Sequence, residues 1–124
     1  MGTLRIKRIY QAKATSDGKR ILIDRIWPRG VSKEKAALTL WAKEIAPTNE
    51  LRQAFGHLPE KFSWFQQEYC KELQHNPFTE VFSAQIAAWL AAGNVTLVYG
   101  AKDEVHNHAV VLQEYLTARL EEPR

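Results

Sequence analysis

The chain has 124 residues, 45% of them apolar, and a formal net charge of +3, which points to a single domain spanning residues 1–124 and excludes a disordered chain. Its apolar stretches, such as residues 87–92, are far short of the ~20 that a membrane span needs, and its one cysteine excludes an internal disulfide or a cysteine-based zinc cluster. Charged and apolar side chains alternate over Met1 to Arg8, so no signal peptide is expected, Ile6 in place of Ser or Thr misses the myristoylation pattern, and the composition describes a soluble, cytoplasmic domain.

In chain order, Leu4 to Tyr10 alternates at period two and predicts a strand. Ser16-Asp17-Gly18-Lys19 is a turn signal, because Gly18 accepts positive φ and Asp17 can bond its own backbone. Arg20 to Asp24 is an apolar run of buried-strand length. Trp27-Pro28-Arg29-Gly30 is a loop, since Pro28 removes a donor and pushes Trp27 out of the helical region. Ser32 caps a short helix through about Ala37, whereas Leu38 to Ile45 fits either a strand or a helix. Thr48 caps a helix from Asn49 to about Phe55 that Gly56 ends. Pro59 opens a longer helix with Phe62, Phe65, Tyr69 and Leu73 on its core face. After Asn76-Pro77 a further helix turns Phe82, Ile86 and Trp89/Leu90 inward, and Gly93-Asn94 closes it. Val95 to Tyr99 is the clearest strand, and Asp103 caps a last helix bearing Val105, Ala109, Leu112, Leu116 and Leu120. This order predicts a compact α/β domain with a small mixed β-sheet flanked by helices.

Two polar segments follow buried strands, where ligands of open α/β sheets sit. The first, residues 24–33, offers Asp24, Arg25, Trp27 and Arg29 beside Gly30. Two arginines four apart in a proline-containing loop can grip a carboxylate or phosphate; the plainer alternative is a structural ion pair with Asp24 and a core-plugging Trp27. The second, residues 99–108, runs from a strand into a helix N-terminus that favours anions. There Lys102 adds charge, Asn107 and the main-chain N–H groups of His106 and Asn107 add donors, and His106 can exchange protons near neutral pH. The plainer alternative is capping by Asp103 and Glu104. Asp24 or His106 is the expected general base if a reaction occurs.

Other side chains read as structural. His106 and His108 are two apart and diverge on a helix, so no metal is expected, and no cofactor motif occurs. His108, at the margin of the core stripe, reads as packed; His57 and His75 sit at helix ends. Cys70 reads as a buried inert thiol, and Trp41, Trp64 and Trp89 as core.

Charge is uneven. Residues 1–35 hold ten Lys/Arg against three Asp/Glu, and the remainder seven against eleven. That basic third raises nucleic acid as an alternative partner, although its aromatics are not interleaved with the basic residues.

Several strings occurring in order carry a resemblance: Asp17-Gly18 with Arg20 to Asp24, Arg25-Ile26-Trp27-Pro28-Arg29-Gly30-Val31-Ser32-Lys33, Trp41 to Pro47, Phe55-Gly56-His57, and Val95 to Asp103 with Asn107-His108-Ala109. Together they resemble the YeaO-like family of small bacterial proteins, within a wider group of domains of unknown function. The resemblance implies a compact α/β domain in which the two polar segments meet, and it brings no established activity. In the wider group cysteines stand at the strand end and helix start where this chain has Tyr99 and Asn107, so thiol chemistry does not carry over. Gly100 is a further departure, alanine being expected there.

The resulting expectation is a small phosphate- or nucleotide-like anion bound at the strand ends. The alternatives are nucleic-acid binding or a protein-interaction module, with a homodimer left open by the frequency of two-fold oligomers.

Overall fold

In the computed structural model, which describes residues 2–121, four short strands form one sheet: β1 (Leu4–Arg8), β2 (Lys19–Leu22), β3 (Leu40–Trp41) and β4 (Val95–Tyr99). Their order is β1-β4-β2-β3, and all neighbours are parallel. The α/β class holds, but the sheet is parallel throughout rather than mixed. The Ser16–Lys19 turn closes a crossover and not a hairpin. It delivers β2 alongside β4, with Lys19 opposite Val95. Gly18, at φ 64°, lies so close to that strand's entry that a Cβ there would sit 1.9 Å from the Asn94 carbonyl oxygen.

The helices are α1 (Lys33–Ala36), α2 (Asn49–Phe55), α3 (Phe62–His75), α4 (Phe78–Ala92) and α5 (His108–Glu121), with 3₁₀ turns at Thr15–Asp17, Lys43–Ile45 and Pro59–Lys61. Caps form where the side chains call for them: Ser32 Oγ accepts from Lys35 N, Thr48 Oγ1 accepts from Leu51 N, and Gly56 takes φ 58° after α2. The ambiguous stretch 38–45 divides into β3 and a 3₁₀ turn.

Parallel strands covered on both faces read as continuous apolar runs, and every residue of β4 is buried. One face, with Ile21, Ile23, Val95, Leu97 and Tyr99, packs under α3, α4 and α5. The other is thinner. Leu22 and Val98 are covered by Ile9, Ala36, Trp27 and Trp41, that is, by loops, the end of β3 and the single turn of α1. Beside that cluster Asp17 is buried, accepting from Lys7 Nζ at 2.8 Å and Arg20 Nη1 at 2.6 Å.

Two local expectations are corrected. Asp103 does not cap α5: its Oδ1 accepts from Val105 N and His106 N in a turn before the helix, while Asn107 Oδ1 takes Val110 N. Trp64 is not core, being 43% exposed on α3. Cys70 is half-buried, and burial pushes its thiol up, which fits an unreactive sulfur.

Candidate functional site

The carboxyl ends of β2 and β4 lie side by side, and the chain leaves both into polar loops. Gly100 N donates to Asp24 Oδ2 at 2.9 Å, so the two segments meet directly. Two tryptophans fix the Asp24 backbone. Trp41 Nε1 donates to Asp24 O at 2.7 Å, and Trp27 packs edge-on against Trp41 at 5.3 Å.

Above this junction opens a cleft of about 630 Å³. Asp24, Arg25 and Lys102 line it together with Arg52, His57 and His108, while Tyr10, Ile26 and Pro47 contribute apolar wall. Arg25 is held rigidly, Nε donating to Pro47 O at 3.1 Å and Nη2 to Ala46 O at 2.9 Å. None of the ion pairs among the described residues involves Arg25, Arg52 or Lys102. Three cationic side chains thus border one cleft without a carboxylate partner.

The acids at the cleft are already engaged. Asp103 accepts from two backbone N–H groups and faces His106 Nδ1 at 2.9 Å; the N–H groups of His106 and Val105 hold its carboxyl down at about 2. Asp24 takes Gly100 N and faces His108 Nε2 at 3.0 Å.

The other residues singled out in the sequence stand elsewhere. Trp27 donates from its indole to Val31 O at 2.7 Å and plugs the thin face of the sheet. Arg29 is exposed and outside the cleft lining, and its carbonyl accepts from Tyr10 Oη. His106 packs edge-on against Phe62 at 5.2 Å, and its N–H is occupied by Asp103. Asn107 is buried with both amide atoms engaged, Nδ2 donating to Asp103 O and Oδ1 capping α5. Tyr99 is buried too, and burial pushes its phenol up.

Sequence reasoning passed over His108, Arg52 and His57. For His108 a signal existed: an imidazole on the first turn of a helix that follows a central strand points back toward the strand ends. Arg52 and His57 stood out only as parts of strings carrying the family resemblance, because their approach to the cleft depends on long-range packing of α2 and the turn after it.

The structure is thus a small parallel α/β domain with a cleft over the carboxyl ends of β2 and β4. The chain belongs to the family described as the inactive DUF488-N3 subclade, which matches residues 3–124. It is 40% identical over 113 residues to the uncharacterized protein YeaO of Escherichia coli (strain K12), covering 91% of this chain and 96% of YeaO. It is also 34% identical over 116 residues to an uncharacterized protein of Mycobacterium tuberculosis (H37Rv), Rv3073c, covering 94% and 95% of the two chains. The YeaO-like resemblance read from the sequence is therefore borne out. No solved structure gives a significant match. Among the described residues no helix is long and apolar enough to cross a membrane.

Proposed function

We propose that the protein binds a small anion in the cleft over β2 and β4. The observation that carries this is Arg25, held by two main-chain carbonyls and in no ion pair among the described residues, on one cleft with Arg52 and Lys102, which form no ion pair among them either. A guanidinium ordered in advance loses little entropy when an oxyanion arrives. The apolar wall of Tyr10, Ile26 and Pro47 suits a ring or short chain attached to the anion, as in a nucleotide. Binding is favoured over turnover. The subclade is described as inactive, and the strand end and helix start carry Tyr99 and Asn107, both buried, in place of a nucleophile.

Nucleic-acid binding has less support. Lys7 and Arg20 are committed to Asp17, and Arg8 Nε to Ala101 O, and the basic side chains left exposed, such as Lys13, Lys19 and Lys33, are not interleaved with aromatics on which bases could stack.

Thermal unfolding against sulfate, phosphate, nucleotides and small carboxylates tests the reading. A ligand at 100 times its dissociation constant adds about 2.7 kcal/mol, a shift of several degrees in a domain of this size. The shift is expected to shrink in Arg25→Ala and in Lys102→Ala, the latter an exposed side chain whose loss leaves the fold intact. Equal shifts in wild type and Lys102→Ala, or none with any anion, would overturn it.

A further inference from the structure

We infer that the cleft takes up its anion together with a proton, which binds Nδ1 of His108; the inference rests on the anion-binding reading above. His108 opens α5, and its side chain, 16% exposed, reaches back to the end of β2. There Nε2 lies 3.1 Å from Ile23 O and 3.0 Å from Asp24 Oδ1. Both neighbours only accept, so Nε2 keeps its hydrogen in either charge state of the ring. The proton that comes and goes is therefore the one on Nδ1. Among the described residues no protein hydrogen bond reaches that atom, and it is absent from their buried unpartnered nitrogen and oxygen atoms, so it remains open on a side chain that lines the cleft.

Asp24 supplies the countercharge. Its Oδ2 is held by Gly100 N, while Oδ1 is buried, receives no aligned hydrogen bond and faces the imidazole. A neutral ring leaves this carboxylate opposing an incoming anion. A protonated ring neutralises it and adds a donor beside the three cations.

The other titratable groups around His108 do not supply this proton. Tyr69 of α3 meets the ring edge-on at 6.5 Å; burial pushes its phenol far up, and it donates to Ile45 O, so it stays neutral. Asp103 stays ionised, held at about 2. Arg25, Arg52 and Lys102 share the cleft, and arginine and lysine side chains ordinarily keep their charge across the neutral range. His57 is the other imidazole on the wall, and it is the control.

The test is the dissociation constant of sulfate from about pH 5.5 to about pH 8.5, the range in which imidazoles change charge. Sulfate keeps both its charges throughout, so any pH dependence belongs to the protein. The wild-type constant is expected to rise roughly tenfold per pH unit over the upper part of the range, to lie flat in His108→Gln, and to keep its slope in His57→Gln. In the wild type at fixed pH, the Nδ1 resonance of His108 is expected to move toward its protonated position as sulfate is added, a readout that does not require the variant to fold. A flat wild-type profile, a slope that survives in His108→Gln or vanishes in His57→Gln, or an unmoved Nδ1 resonance would overturn the inference. Flat binding that still needs Lys102 would overturn the proton link alone; no sulfate binding at any pH would overturn the anion-binding reading with it.

Discussion

At Gly100 the absence of a side chain decides how closely two strand ends approach. A Cβ there would stand 2.9 Å from Asp24 Oδ2, the oxygen that accepts the Gly100 N–H. The glycine leaves room for Asp24 Oδ2 to sit against the Gly100 N–H. A hydrogen bond to a charged group contributes about 1.5–3 kcal/mol. Gly100→Ala is therefore expected to cost about 1.5 kcal/mol in urea unfolding, and well under half of that when Asp24 is already alanine. Equal costs in both backgrounds would show that the methyl group meets something other than this carboxylate.

The crossover from β1 to β2 contains no α-helix and is fastened by one carboxylate. Asp17 accepts from Ala14 N, Lys7 Nζ and Arg20 Nη1, while its own carbonyl accepts from Thr96 Oγ1 in β4. Burial raises the Asp17 pKa, but the hydrogen bonds from Lys7, Ala14 N and Arg20 outweigh it, so the net displacement is downward. The unfolded chain then binds more protons in acid, so this contribution is complete above the ordinary carboxylate range and is lost as pH falls through the lowered folded value. Asp17→Asn leaves Arg20 buried without its countercharge; Arg20 Nη2 already lacks a partner. The expected cost near neutral pH is about 3 kcal/mol. Chemical unfolding at pH 7 and in acid checks both points, since the variant should lose less stability than the wild type on acidification. The sequence marked Asp17 as a turn residue bonding its own backbone, whereas its side chain takes the N–H of Ala14, three residues back; the long-range part, to Lys7, was written only as an excess of positive charge.

Over the whole molecule, what was legible in the sequence followed the range of the interactions. Val95–Tyr99, the Thr48 and Ser32 caps and the Gly56 stop are set within a few residues, and each formed as expected. Asp103 misled because an aspartate accepting the next N–H groups has the same local pattern whether or not a helix follows. The meeting of Asp24 with Gly100 followed from strand-end logic, whereas the wall built by Pro47, Arg52 and His57 depends on how α2 packs. The sheet's two faces also differ in cover, and this has a measurable result. Amides of β4, bonded on both sides and buried throughout, are expected to exchange hydrogen only through global opening. Those around the two-residue β3, under loops and α1, should exchange earlier by local opening. Exchange at β4 as early as at β3 would contradict this cover.

The strand order has a consequence for how the chain comes to be folded. β1 is made first, yet its single sheet neighbour is β4, at residues 95–99, and β4 must slide between β1 and β2 before either strand has a partner on that side. During synthesis β1 therefore waits, unpaired, until residues 95–99 have emerged. The final closure brings together segments about ninety residues apart, a long loop to close and a slow kind of contact to form. Lys7 and Arg8, set at the end of that waiting strand, place charge where an idle edge would otherwise invite pairing with a neighbouring chain.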